Sequence, residues 1–123
     1  MSLKTSFTLM SIFAGLFALI FLLIPKTMLA FYGPLTAMDS TILMTRFFGS
    51  ALLAMALITF YLKNAEFTKE VKSVVLALLI SEIVGFFVAL WGQLSNIVNN
   101  YGWFTVILYG FLSIALFLVY KKK

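Results

Sequence analysis

The stretch LMSIFAGLFALIFLLI, from Leu9 to Ile24, decides the fold because Ser11 is its single polar residue and it lies inside an uncharged run between Lys4 and Lys26. A helix needs about 20 apolar residues to cross the hydrocarbon core of a bilayer, and this run is long enough. Of the 123 residues in the chain, 63% are hydrophobic and 11% are charged, whereas soluble domains are about 25% charged. The composition excludes a soluble monomer, a disordered chain and a nucleic-acid-binding protein, and it indicates an integral membrane protein.

Charged and turn-forming residues divide the chain into four apolar spans. We predict transmembrane helices at about 6–24, 42–62, 73–95 and 103–120. The segments Lys26–Ser40, Lys63–Lys72 and Asn96–Gly102 contain Gly, Pro, Asn or clustered charges, so we predict that they are loops. The sequence therefore predicts one all-α domain over residues 1–123, an up-down four-helix transmembrane bundle.

The basic residues predict how this bundle is oriented. Lys4, the middle loop Lys63–Lys72 and the triple lysine Lys121–Lys123 would lie on one side, whereas only Lys26 would lie on the other. By the positive-inside rule, both termini are expected in the cytoplasm and the protein in the cell (plasma or inner) membrane. A cleaved signal peptide is the alternative for the first span, but its apolar run exceeds the usual length of about 7–15 residues.

Two charged residues, Arg46 and Glu82, fall inside predicted spans. A charged side chain at the centre of a transmembrane helix costs about 2.5–3.5 kcal/mol, so such residues usually face the protein interior and are functional candidates. Their depths differ by about 9 Å at 1.5 Å per residue, which disfavours a direct ion pair. We predict a polar cluster of Arg46, Gln93 and Tyr109 in the outer half of the membrane, with Glu82 deeper. The alternative is that Arg46 extends to the headgroups while Glu82 is protonated and hydrogen-bonded.

Small residues indicate which helix faces point inward. In the third span, Ser81, Gly85 and Ala89 recur every four residues near Glu82, as is typical of close helix packing. Gly49 and Ser50 give a weaker version of this pattern in the second span. We predict that these five residues pack helices together; the alternative for the third span is the wall of a ligand cavity.

The chain contains no Cys and no His, and its four acidic residues do not cluster in the sequence. Haem and metal sites are therefore not expected, since His and Cys are their commonest ligands. No nucleophile motif or phosphate-binding loop is present, so we predict no catalytic residues. Only Glu82, Arg46, Tyr109 and Gln93 remain as groups that an enzyme could use.

A resemblance to known proteins rests on the order of short motifs along the chain. These are LIP (23–25), YG (32–33), TRFFGS (45–50), GF (85–86), WGQLS (91–95) and YGW (101–103). In this order the chain resembles a group of small bacterial four-helix membrane proteins whose function is not established and, more loosely, the DoxX-like superfamily. The resemblance implies a four-helix bundle with Arg46 and Gly49 as an Arg-x-x-Gly motif. Some members are subunits of quinone-linked oxidoreductases, and others assist the assembly of partner proteins.

Three hypotheses for function follow. The first is a non-enzymatic accessory, assembly or binding protein whose candidate partners are a membrane protein, a second copy of itself, a lipid or a quinone. The second is a small proton- or anion-coupled transporter that uses Glu82 and Arg46. The third is a membrane enzyme, which the residues favour least because nothing in the chain activates a nucleophile.

Overall fold

A computed structural model describes residues 1–33 and 39–122, and these residues form helices and short connections. The helices are α1 (Leu3–Leu23), α2 (Pro25–Phe31), α3 (Asp39–Leu62), α4 (Lys69–Leu94) and α5 (Gly102–Tyr120). All except α2 are long and apolar enough to cross a membrane. The prediction of an all-α bundle with four spans is confirmed, and the protein is a multi-pass membrane protein.

Two helices begin earlier than the apolar pattern predicted, because polar side chains cap them. α1 begins at Leu3, where the Ser2 hydroxyl accepts a hydrogen bond of 3.1 Å from the Thr5 amide. α4 begins at Lys69, where the Thr68 hydroxyl accepts one of 3.2 Å from the Val71 amide. Side-chain oxygens at these positions satisfy amides that the first helical turn leaves unpaired. Hydrophobicity locates the membrane-spanning part of a helix, whereas the caps locate its end.

The first predicted loop, Lys26–Ser40, is wrong in part because it contains the helix α2. Pro25 occupies the first helical position, where its fixed φ suits a helix and its missing N–H costs nothing. The chain leaves helical geometry at Gly33, whose φ of +151° favours glycine. α3 then begins at Asp39, inside the range predicted as loop. Residues 34–38 of that predicted loop lie outside the described residues.

The four long helices pack as two antiparallel hairpins. α1 packs along α3, α4 packs along α5, and the hairpins meet where α1 contacts α5. The helices are therefore neighbours in the order α3, α1, α5, α4. Although α3 and α4 are consecutive in the chain, no packed interface between them is found in the part that the structure describes. This arrangement leaves the bundle open on one side.

A continuous apolar core closes the bundle near the end that holds both chain termini, which we call the terminal end. The core combines buried residues from three helices: Phe7, Met10, Val75, Leu79, Leu112, Leu116 and Val119. Residues from α3 and from the connection to α4, such as Leu62 and Phe67, pack against it. We call the opposite end, which holds the connection between α4 and α5, the turn end. The open side lies between mid-height and this turn end.

Gly49 sets the spacing between α1 and α3. A Cβ at this position would lie 3.1 Å from Leu22 Cγ and 3.2 Å from the Ala18 carbonyl oxygen. We expect Gly49→Leu to lower the free energy of unfolding by about 1–3 kcal/mol, because the larger side chain must push the hairpin apart. The measurement is unfolding in mixed detergent micelles, followed by far-UV circular dichroism.

Gly92→Leu is the matched control for this prediction. No atom lies within 4 Å of where a Cβ would be placed at position 92. The control should therefore be at least as stable as the wild type, since leucine favours a helix over glycine by up to about 1 kcal/mol. Equal stability of the Gly49→Leu and Gly92→Leu proteins would show that Gly49 does not set the α1–α3 spacing.

Candidate functional site

The open side of the bundle forms a cleft of about 480 Å³ between α3 and α4, which we call the outer cleft. Its walls are residues of three helices: Phe48, Ala51, Leu52, Met55, Ser81, Glu82, Val84, Gly85, Val88, Ala89, Thr105 and Tyr109. Ligand pockets in proteins commonly measure about 300–1,000 Å³. The outer cleft falls within this range, and in a membrane it would open sideways toward lipid.

A smaller chamber of about 80 Å³, which we call the inner chamber, lies deeper between the hairpins. Six residues line both spaces, so the two spaces lie next to each other: Phe48, Leu52, Met55, Glu82, Thr105 and Tyr109. The other walls of the inner chamber come mostly from α1 and α5. A molecule in the outer cleft would therefore contact side chains that also line the centre of the bundle.

Glu82 lies where the two spaces meet. Its side chain is only 2% exposed, and its Oε2 has no hydrogen-bond partner among the described residues. Burying a polar atom without a partner typically costs about 1–3 kcal/mol. No Lys or Arg is among the residues that line either space. The site thus presents a carboxyl group that has not been satisfied by the protein itself.

Tyr109 lines the site beside Glu82, and Gly85 makes room for it. A Cβ at position 85 would overlap the Tyr109 ring, so the glycine allows the ring to lie directly against α4. Thr105 lies one helical turn before Tyr109 and also lines both spaces. Glu82, Thr105 and Tyr109 are the polar side chains that these two spaces share.

Hydrogen bonds hold the segment after α2 over the turn end of the inner chamber. The hydroxyls of Tyr32 and Thr105 share a hydrogen bond of 2.7 Å. The Asn99 side-chain amide donates to the Phe31 carbonyl at 3.0 Å, and the Asn99 backbone amide donates to the Tyr32 carbonyl at 2.8 Å. These contacts fix Tyr32 in the chamber wall and link α2 to the connection between α4 and α5.

Aromatic rings make up much of the remaining chamber wall. Phe13, Phe17 and Phe21 of α1 line it, and the Phe21 ring lies 5.3 Å from that of Phe48 on α3. The sequence prediction named no site residue in the first span, so these three residues were missed. The signal was present, because residues spaced by four lie on one face of a helix. Tyr32 and Thr105 were also missed, and no short-range pattern relates two residues so far apart in the chain.

The structure brings together only part of the predicted polar cluster. Glu82 and Tyr109 line the same site, whereas Arg46 and Gln93 line neither space. Arg46 is exposed on the outside of the bundle. Gln93 is buried at the turn end, where its Nε2 donates to the Asn99 carbonyl at 3.2 Å. Its position there supports the connection between α4 and α5, close to Gly102.

The five residues predicted to pack helices together lie in different environments. Gly49 packs against α1, whereas Ser50 is exposed. The three small residues of α4, Ser81, Gly85 and Ala89, line the outer cleft. The four-residue spacing in α4 therefore borders an open space, as in the cavity-wall alternative, and α4 approaches α5 closely at Gly85.

No family model, curated protein or solved structure matches this chain. The resemblance to the DoxX-like superfamily therefore stays a prediction. In the ranges 1–33 and 39–122, no group of three or more His, Cys, Asp or Glu residues is placed to hold a metal ion. What the cleft offers to a ligand is apolar surface, one carboxyl group and a few hydroxyl groups.

Proposed function

We propose that this protein is a non-enzymatic membrane protein that binds one hydrophobic molecule with a polar head group, a lipid or a quinone, in the outer cleft. The observation that carries the proposal is the buried Glu82 carboxyl, with Oε2 unpartnered, on the wall of a ligand-sized cleft. A ligand group at this point would supply the missing hydrogen bond. The apolar residues on both sides would hold the hydrophobic part of the ligand.

The position of the cleft suits a ligand that arrives from the bilayer. A hydrophobic molecule dissolved in lipid could enter between α3 and α4, where no helix of the described ranges 1–33 and 39–122 lies in the way. Ligand sites commonly combine apolar walls with a few placed polar groups, and Glu82, Thr105 and Tyr109 have that arrangement here. An ionisable residue inside a membrane is by itself a candidate for a functional role, and this is a second argument that Glu82 takes part in binding.

Other roles receive less support from this geometry. A transporter must open its site to both sides of the membrane, but the apolar core closes the terminal end. Arg46, which the transporter hypothesis requires for anion binding, lies outside both spaces. A helix of a partner protein, or of a second copy, is the remaining occupant for the cleft. The unpartnered carboxyl favours a small polar head group over an apolar helix.

We also propose that both termini lie in the cytoplasm and that the membrane is the cell (plasma or inner) membrane. The support is the distribution of basic residues, since Lys4 and Lys121 lie at the terminal end together with the lysines between α3 and α4. In this orientation the outer cleft would lie between the membrane centre and the outer leaflet.

Native mass spectrometry of the protein, purified in a mild detergent, tests the binding proposal. We expect a fraction of the monomer to carry one small hydrophobic adduct, which solvent extraction would identify as a lipid or a quinone. Ala51→Phe should remove this adduct, because residue 51 lines the outer cleft and a phenyl ring there would obstruct the space that the ligand needs.

Ala54→Phe is the matched control, on the same helix and also exposed, but outside both spaces. It should keep the adduct. A bare monomer for the wild type, or an adduct that survives Ala51→Phe, would refute small-molecule binding. A dimer or a heterocomplex without adduct would assign the cleft to a protein helix instead.

A further inference from the structure

We infer that the head group recognised in the cleft is an organic ammonium group, so that the ligand is a cationic amphiphile. This inference rests on the proposed function and narrows it to one ligand class. Three features of the site support it: an unpartnered carboxyl, walls without basic residues, and a chamber lined by aromatic rings.

The charges around the site favour a cation. Glu82 supplies the acidic group, and no Lys or Arg lines either space. A negatively charged head group, such as a phosphate or a fatty-acid carboxylate, would be repelled by an ionised Glu82 with no basic residue to compensate. An ammonium group and the carboxylate neutralise one another, which lowers the cost of holding either charge among apolar side chains.

The chamber walls provide a second attraction for the same kind of group. Six aromatic rings line the inner chamber, and those of Phe48 and Tyr109 also line the outer cleft; the other four belong to Phe13, Phe17, Phe21 and Tyr32. The faces of aromatic rings attract cations, and the gain reaches about 2 kcal/mol when the cation is removed from water. Quaternary ammonium groups are bound in this way because they cannot donate hydrogen bonds and are large enough to contact several rings. Aliphatic walls would give no such preference.

A quinone has the opposite requirement. Its carbonyl oxygens only accept hydrogen bonds, so it needs donors on the protein. Tyr109 and Thr105 offer hydroxyl groups, but the Thr105 hydroxyl already shares a hydrogen bond with Tyr32, and Glu82 can donate only in its protonated form. The site therefore satisfies the ammonium more completely, since the carboxylate and the ring faces both attract positive charge.

The test compares two amphiphiles that share a dodecyl chain and differ in head-group charge. These are dodecyltrimethylammonium and the uncharged dodecyldimethylphosphine oxide. Equilibrium dialysis against the protein in dodecylmaltoside micelles, which contain no amine, measures binding of each compound. We expect saturable binding of the ammonium compound by the wild type at one site and at least about tenfold weaker binding by Glu82→Gln. The phosphine oxide should bind both proteins within about threefold.

Two variants keep the result interpretable. Glu66→Gln makes the same chemical change in the exposed connection between α3 and α4, and it should bind like the wild type. Glu82→Asp keeps the carboxylate and should retain the preference for the cation even if Glu82→Gln fails to fold. Within the wild type alone, the ratio of the two affinities must also favour the ammonium compound.

The outcomes separate this inference from the proposed function. If the phosphine oxide or a short-chain quinone binds and Ala51→Phe prevents it, while the ammonium compound binds no better, the inference is wrong and the proposed function stands. If no compound binds in a manner that Ala51→Phe prevents, both fail. Equal binding of the ammonium compound by the wild type and Glu82→Gln would also overturn the inference.

Discussion

Replacing Glu82 with methionine is expected to raise the free energy of unfolding of the ligand-free protein by about 1–3 kcal/mol. The glutamate is 2% exposed and its Oε2 has no partner among the described residues. Burial of an unsatisfied polar group costs energy in this range, and methionine removes that cost while filling a similar volume with a flexible apolar chain. A substitution that stabilises the protein at its most buried acidic residue would indicate that the carboxyl is retained for binding.

The measurement is reversible unfolding by sodium dodecyl sulfate in dodecylmaltoside micelles, followed by far-UV circular dichroism after removal of bound lipid. Glu82→Gln should change stability less, because it leaves a polar group at the same position. Glu66→Met is the exposed control and should stay within about 0.5 kcal/mol of the wild type. A loss of stability in Glu82→Met would mean that the carboxyl has a partner in the folded protein.

Much of the fold could be predicted because the bilayer imposes a length on each element. An apolar run must contain about 20 residues to span the membrane, so counting between charges located all four spans. The helix ends beyond the membrane follow different physics, as the caps at Ser2 and Thr68 show. α2 was missed because the sequence contains glycine and proline at positions 33 and 34, which indicate a loop. The helix before them begins at Pro25 and has only 7 residues, too few to give a clear helical pattern.

The open side of the bundle could not be predicted from the chain. Consecutive spans pack together in two cases, α1 with α3 and α4 with α5, but α3 and α4 share no packed interface among the described residues. Which pairs form depends on how closely two surfaces fit, as at Gly49 and Gly85, and a one-dimensional pattern does not contain that information. The cleft is a consequence of this order, since it lies between the two helices that remain unpaired with each other.

The rotation of each helix explains which site residues the sequence could place. For α4, the polar and small residues around Glu82 marked the face that lines the outer cleft, where Glu82 is buried and Ser81 is exposed. For α3, Arg46 and Gly49 seemed to share a face because they lie about 60° apart around the helix. The buried face is centred on the other side of Gly49, toward Ala56 and Thr59. Contact with α1 fixes this rotation, and it leaves Arg46 exposed.

Gly85→Ala is expected to lower occupancy of the cleft by the copurified ligand at least about tenfold, which corresponds to about 1.4 kcal/mol of binding energy. A Cβ at this position would overlap the Tyr109 ring, while α4 and α5 are held together along their lengths. The ring is a movable side chain, and the outer cleft is the space beside it. The ring should therefore turn into the cleft and take the place of the ligand.

Stability should respond much less than binding to this substitution. Alanine favours a helix interior over glycine by up to about 1 kcal/mol, which offsets part of the cost of moving the ring. Gly92→Ala is the matched control on the same helix, since nothing lies within 4 Å of its added Cβ, and it should keep the ligand. The double variant Gly85→Ala with Tyr109→Leu should recover part of the occupancy, because the smaller side chain no longer fills the cleft. Full ligand occupancy in the Gly85→Ala single variant would show that the Tyr109 ring does not border the bound molecule. Recovery of occupancy in the double variant would identify this ring as the obstruction.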